Sequence, residues 1–120
     1  MAAVGFGGAF VRVQDPEALY RWYEQHLGLS RTNGYLEFPV AEQRAQIVLT
    51  FVDEHDDSFP ARQAAALNLQ VDDLDGLLDR MAAEGVAVDP ERPAYDFGRF
   101  GAFTDPEGNR VEVWQPIPEG

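Results

Sequence analysis

The 120-residue chain has no cysteine and no lysine, and all nine of its basic residues are arginines. Without a thiol there is neither a disulfide framework nor a thiolate nucleophile. Without a side-chain amine there is no Schiff base and no P-loop ammonium. Serine is scarce as well: Ser30 and Ser58 are the only two, and neither lies in a G-x-S-x-G elbow. With only His26 and His55 to serve as a base, a serine triad is disfavoured. Long hydrophobic runs are missing too. Residues 2–11 are apolar but short, glycine-rich and not preceded by positive charge, so neither a signal peptide nor a membrane span is expected, and the cytoplasm is the default compartment. Basic charge is in short supply. Nine arginines face 21 acids, 9 of them in residues 1–60 and 12 in 61–120, for a net charge of −12. Nucleic acid, which needs a concentrated basic surface, is therefore excluded as a partner. A field of this sign keeps a protein soluble and favours cationic ligands.

The remaining residues suffice for one globular domain, because 45% hydrophobic and 12% aromatic content can form a core at this length. Residues 10–13 read as a strand. Asp15-Pro16 then opens a helix, with an acceptor at the cap and a preset φ in the first turn. Leu19, Trp22, Tyr23, His26 and Leu27 follow at helical spacing, and Gly28 ends the helix. Thr32-Asn33-Gly34-Tyr35 is a hairpin signal leading into residues 35–38, and the apolar run AQIVLTFV at 45–52 reads as a long strand. The acidic segment DEHDDSFPAR at 53–62 is the natural linker, with His55 solvated inside it. The order then repeats: a strand at 67–71, a helix capped by Asp72 or Asp73 and stopped by Gly85, a short strand at 86–88, a strand at 95–104, the turn Asp105-Pro106-Glu107-Gly108-Asn109, and a closing strand at 111–115. Both halves read βαβββ, and they overlay at a spacing of 58 (Val13 on Val71, Asp15 on Asp73, Leu19 on Leu77). One helix per half covers one sheet face, so the other face is left for the second half, a second chain or a ligand cavity.

With this order, with LYRWYEQHLGL in the first half and TDPEGNRVEVWQP closing the second, the sequence resembles the glyoxalase, bleomycin-resistance and extradiol-dioxygenase (vicinal oxygen chelate) superfamily. The resemblance spans about Gly8 to Pro116, and its most specific part is the closing D-P-E-G-N-x-x-E. It implies an α+β fold of two βαβββ modules, 5–52 and 66–116 joined by a linker at 53–65, forming a curled mixed sheet around a cleft in one domain, commonly as a homodimer. In enzymes of the superfamily both modules contribute ligands to a divalent metal. Carried onto this chain, those positions are Gly8, Val48, Ala66 and Glu112. Three of the four have no donor atom, and slips of one residue bring none, so no metal and no cofactor are expected.

On the closing strand, alternation places Glu112 and Trp114 on one face. The same count along 95–101 places Tyr95, Phe97, Arg99 and Gly101 together, with Arg99 the expected partner of Glu112 and the Tyr95 hydroxyl second. Most other aromatics (Phe10, Trp22, Tyr23, Phe38, Phe51, Phe100, Phe103) are expected in the core. His26 is expected to pack or to sit at its helix end, and the N-terminal GFGG lacks the strand and helix that a nucleotide loop needs. The resulting reading is a metal-independent binding protein that sequesters a small organic ligand, aromatic or cationic, through Tyr95, Phe97, Arg99, Glu112 and Trp114. The alternatives are a lyase, isomerase or dioxygenase of the superfamily with Glu112 as metal ligand or base, and a dimeric interaction domain without a ligand.

Overall fold

The capping chemistry of the two helices sets the frame. Helix α1, Pro16–Leu27, starts where the Asp15 carboxylate accepts the Ala18 N–H at 3.2 Å, and it ends on Gly28 in the left-handed conformation, φ 65°. Helix α2, Leu74–Ala83, is capped by Asp73, whose Oδ1 accepts the Gly76 N–H at 3.1 Å. The computed structural model describes residues 8–32, 34–39, 41, 43, 45, 47 and 49–117. No helix among them is long and apolar enough to cross a membrane.

Strands β1 (Arg31–Thr32) and β2 (Tyr35–Leu36) form a small antiparallel hairpin around Gly34. The main sheet is built from β3 (Asn68–Gln70), β4 (Ala87–Val88), β5 (Ala94–Tyr95), β6 (Gly98–Thr104) and β7 (Arg110–Pro116). Its order is β3-β7-β6-β4, with β5 also pairing β6; β3 runs parallel to β7, and the other pairings are antiparallel. Strand, helix and returning strands thus follow each other through 68–116 in a mixed open sheet, the α+β architecture expected.

The core lies between α2 and one sheet face. Leu74, Leu78 and Met81 of the helix meet Phe103, Val111 and Val113 of the sheet, all essentially without solvent contact. Burying side chains of this size stabilises by roughly 1.5–3 kcal/mol each. Gly101 lets the helix come close, since a Cβ there would stand 2.5 Å from Leu78 Cδ1. Helix α1 joins the same core through Tyr23, with the Trp22 ring in tilted contact with both His26 and Phe103.

Residues 10–13 carry no strand, and neither do the described residues of 45–52. Val48 lies outside the described residues. A strand needs a ladder partner, and Ala45 meets the β3 edge through a side chain that mimics a ladder bond: Gln70 donates to the Ala45 carbonyl and accepts the Ala45 N–H, both at 3.0 Å. Consequently Phe10, Phe38 and Phe51, expected in the core, are exposed, Phe10 completely.

Candidate functional site

The sheet face turned away from α2 presents a polar and aromatic surface whose composition follows from register. Cross-strand partners share a face, so Gly98, Phe100, Ala102 and Thr104 of β6 stand with Pro116, Trp114, Glu112 and Arg110 of β7, and Asn68 and Gln70 of β3 stand beside Glu112 and Trp114. Phe100 and Trp114 stack with centroids 5.4 Å apart and planes at 9°. Tyr95 and Phe97 form a second parallel pair at 5.4 Å and 6°. Phe100 meets the second pair edge-on, at 71° to Tyr95 and 77° to Phe97. The four rings thus form a floor and a wall at nearly right angles. Tyr95 and Phe97 keep more than half of their surface in solvent, at 55% and 60%.

Gly98 makes room for the floor. A Cβ there would lie 2.7 Å from the Gln115 carbonyl oxygen and 3.0 Å from Trp114 Cε3. Gly98→Ala is therefore expected to lower stability by about 1–3 kcal/mol and to displace the indole. Urea unfolding together with near-ultraviolet circular dichroism checks this; an unchanged Trp114 signal at full stability would refute the contact.

Arg99 is not part of this face. Tyr95 pairs with Gly98 and Ala94 with Arg99, so Asp96 and Phe97 are the two-residue loop of a hairpin, and the count of alternating residues changes parity there. Tyr95 therefore faces with Phe100, while Arg99 turns to the helix side and donates to Asp75, which Arg92 also holds at 2.8 Å. The Arg99 guanidinium, and after it Arg92, keeps the Asp75 carboxyl below the ordinary carboxylate range. The expected Arg99–Glu112 pair does not form. Instead, Asn68 Nδ2 donates to Glu112 Oε1 at 2.5 Å. Sequence reasoning missed Asn68 and Phe100. For Asn68 a signal existed, because in Leu67-Asn68-Leu69-Gln70-Val71 polar residues alternate with apolar ones, as in a strand with one wet face.

The donor set at the metal positions does not fit a divalent ion. Gly8 and Ala66 offer no donor atom, Glu112 offers one carboxylate already engaged by Asn68, and such an ion takes about three or four protein ligands. Among the described residues no group of three or more His, Asp or Glu is placed so that it could hold a metal ion. His55 is exposed in the acidic segment. His26 is buried in the last turn of α1, beside a separate hollow of about 200 Å³ that it lines with Trp22, Glu84 and Asp105.

An open mixed sheet with one helix-covered face and one aromatic face defines the class, and the chain belongs to the Glyoxalase/Bleomycin resistance protein/Dioxygenase superfamily, whose family model matches residues 5–113. Among solved structures it is similar to TnmS3, an antibiotic binding protein from Streptomyces sp. CB03234, at 30% identity over 89% of this chain and 91% of that one, with a TM-score of 0.54. It shares the fold of a superfamily member from Sphaerobacter thermophilus DSM 20745, at 18% identity, 96% and 98% coverage and a TM-score of 0.59. It also shares the fold of Oxidase ChaP-H2, at 21% identity, 88% coverage of each chain and a TM-score of 0.55. No curated protein sequence matches the chain.

Proposed function

We propose that this protein binds and sequesters a small organic ligand with a planar aromatic portion, without a metal, on the floor and wall formed by Phe100, Trp114, Tyr95 and Phe97. The observation that carries the reading is this ring group, left accessible on the sheet face turned away from α2. Water-exposed rings in parallel pairs gain when a third flat ring covers them, since aromatic contacts add about 0.5–1.5 kcal/mol beyond the area buried. Glu112, half-buried beside Trp114, supplies the polar group that orients the ligand. The 30% identical antibiotic-binding relative supports the same kind of role. In this reading the opposite wall comes from the first module, 5–52, of the same chain or of a second copy in a cytoplasmic homodimer, which would also cover exposed Phe10, Leu49 and Phe51.

The test is thermal unfolding with a panel of planar aromatic amines, with and without a chelator, alongside sedimentation. A ligand at about a hundred times its Kd should stabilise by roughly 2.7 kcal/mol. The expected results are a raised melting temperature indifferent to the chelator, loss of the rise in Trp114→Ala, and sedimentation at twice the 13.4 kDa chain mass. Absence of any shift across the panel at millimolar concentration, or a shift abolished by the chelator, overturns the reading.

A further inference from the structure

Among the described residues Glu112 is an anion without a cation. Of the arginines on its own strand and the neighbouring β6, Arg99 is bound to Asp75 on the helix face, and Arg110 is bound to Asp89 at 2.7 Å and to the Ser58 carbonyl. Among the described residues no basic side chain pairs with Glu112; its partner is the neutral amide of Asn68, directly opposite in the parallel β3–β7 register. The backbone is fixed as well, with the Glu112 N–H donating to the Leu67 carbonyl at 3.0 Å. An arginine at position 68 would cancel the charge, and an apolar residue would leave the carboxylate free to rotate. An asparagine does neither: it holds one oxygen and leaves the full negative charge, with the second oxygen available.

Resting on the aromatic-platform reading, we infer that Asn68 is the residue that makes the site select cations. It positions Glu112 so that the carboxylate meets a protonated nitrogen of a flat aromatic ligand lying on Phe100 and Trp114. Glu112 stands two residues from Trp114 on one strand face, about 6.6–6.8 Å along β7. The nitrogen therefore belongs about one ring away from the stacked part of the ligand. The net charge of −12 adds a long-range preference of the same sign.

Two probes of nearly equal shape test this: 9-aminoacridine, a cation at pH 7.5, and acridine, its neutral analogue, titrated calorimetrically into the full chain. The wild type should bind the cation at least about tenfold more tightly, the range of one hydrogen bond to a charged group. Asn68→Arg should bring the ratio near one while acridine affinity stays within about twofold, and Asn68→Leu should lower the ratio several-fold. Position 68 is exposed, so both variants should keep the wild-type melting temperature within a few degrees, and each serves as a check on the other. If both probes bind, Trp114→Ala releases both, and the ratio is the same in wild type, Asn68→Leu and Asn68→Arg, the inference fails and the platform stands. If neither probe binds the wild type, the platform reading and the inference fall together.

Discussion

Asp105→Ala is expected to lower the free energy of unfolding by about 3–5 kcal/mol, because it leaves several donors at a buried charged site without an acceptor. The carboxylate is 5% exposed and is used at both oxygens. Oδ1 accepts the N–H groups of Glu107 at 2.9 Å and Asn109 at 3.0 Å, tying the turn between β6 and β7. Oδ2 accepts the Asn109 amide at 3.1 Å and the Tyr23 hydroxyl at 2.9 Å, tying that turn to α1. Alanine leaves the phenol buried without an acceptor and frees the turn at the same time. For a domain of this length the loss corresponds to a drop in melting temperature of roughly 12–20 °C. Asp105→Asn keeps the volume but turns an amide N–H₂ toward donors, so it should fall between wild type and alanine. Calorimetry and urea unfolding read the effect, and a loss below about 1 kcal/mol would mean that the turn does not depend on this carboxylate.

Asp105 also shows how far the sequence could be read. Its turn is legible locally, because Asp-Pro-Glu-Gly-Asn carries its own chemistry: a side chain that bonds forward to N–H groups, and a glycine at φ 83°. Its partner Tyr23 is 82 residues away, and no local pattern connects the two. The same division holds at the candidate site. Glu112 and Trp114 share a face because they lie on one uninterrupted strand, where a period of two cannot fail. Alternation places Tyr95 and Arg99 on one face only if the count runs straight through a hairpin whose loop, Asp96-Phe97, lacks the Asn-Gly or Asp-Gly that announces such turns. Phe100 reads as core in any hydrophobicity count. Only the register, which places it across from Trp114 instead of against α2, reveals the open face. Residues 10–13 have strand composition, but composition cannot supply a neighbour with which to pair.

Tyr23 carries the alkaline limit of stability. Burial foremost, then the charge of Asp105 and the hydrogen bond to it, push the phenol well above its ordinary range, since each disfavours the phenolate. An unfolded tyrosine ionises near pH ~10. Above that pH the unfolded chain has released this proton and the folded one retains it, so the folded state binds more protons and stability must fall as pH rises. The contribution is fully present below about pH 10, and the slope above it approaches about 1.4 kcal/mol per pH unit for one group. The absence of lysine and cysteine makes the effect legible, because no side-chain amine or thiol titrates across the same window. Tyr23→Phe should lose about 1–2 kcal/mol at neutral pH, since Asp105 keeps three of its four donors, and should lack this part of the alkaline slope. The two stability curves should therefore converge about one pH unit above the onset, near pH ~11. Urea midpoints taken from pH 8 to 12 on both proteins decide the matter. Parallel curves throughout would show that the phenol ionises alike in folded and unfolded chains, and that the bond to Asp105 does not hold the proton.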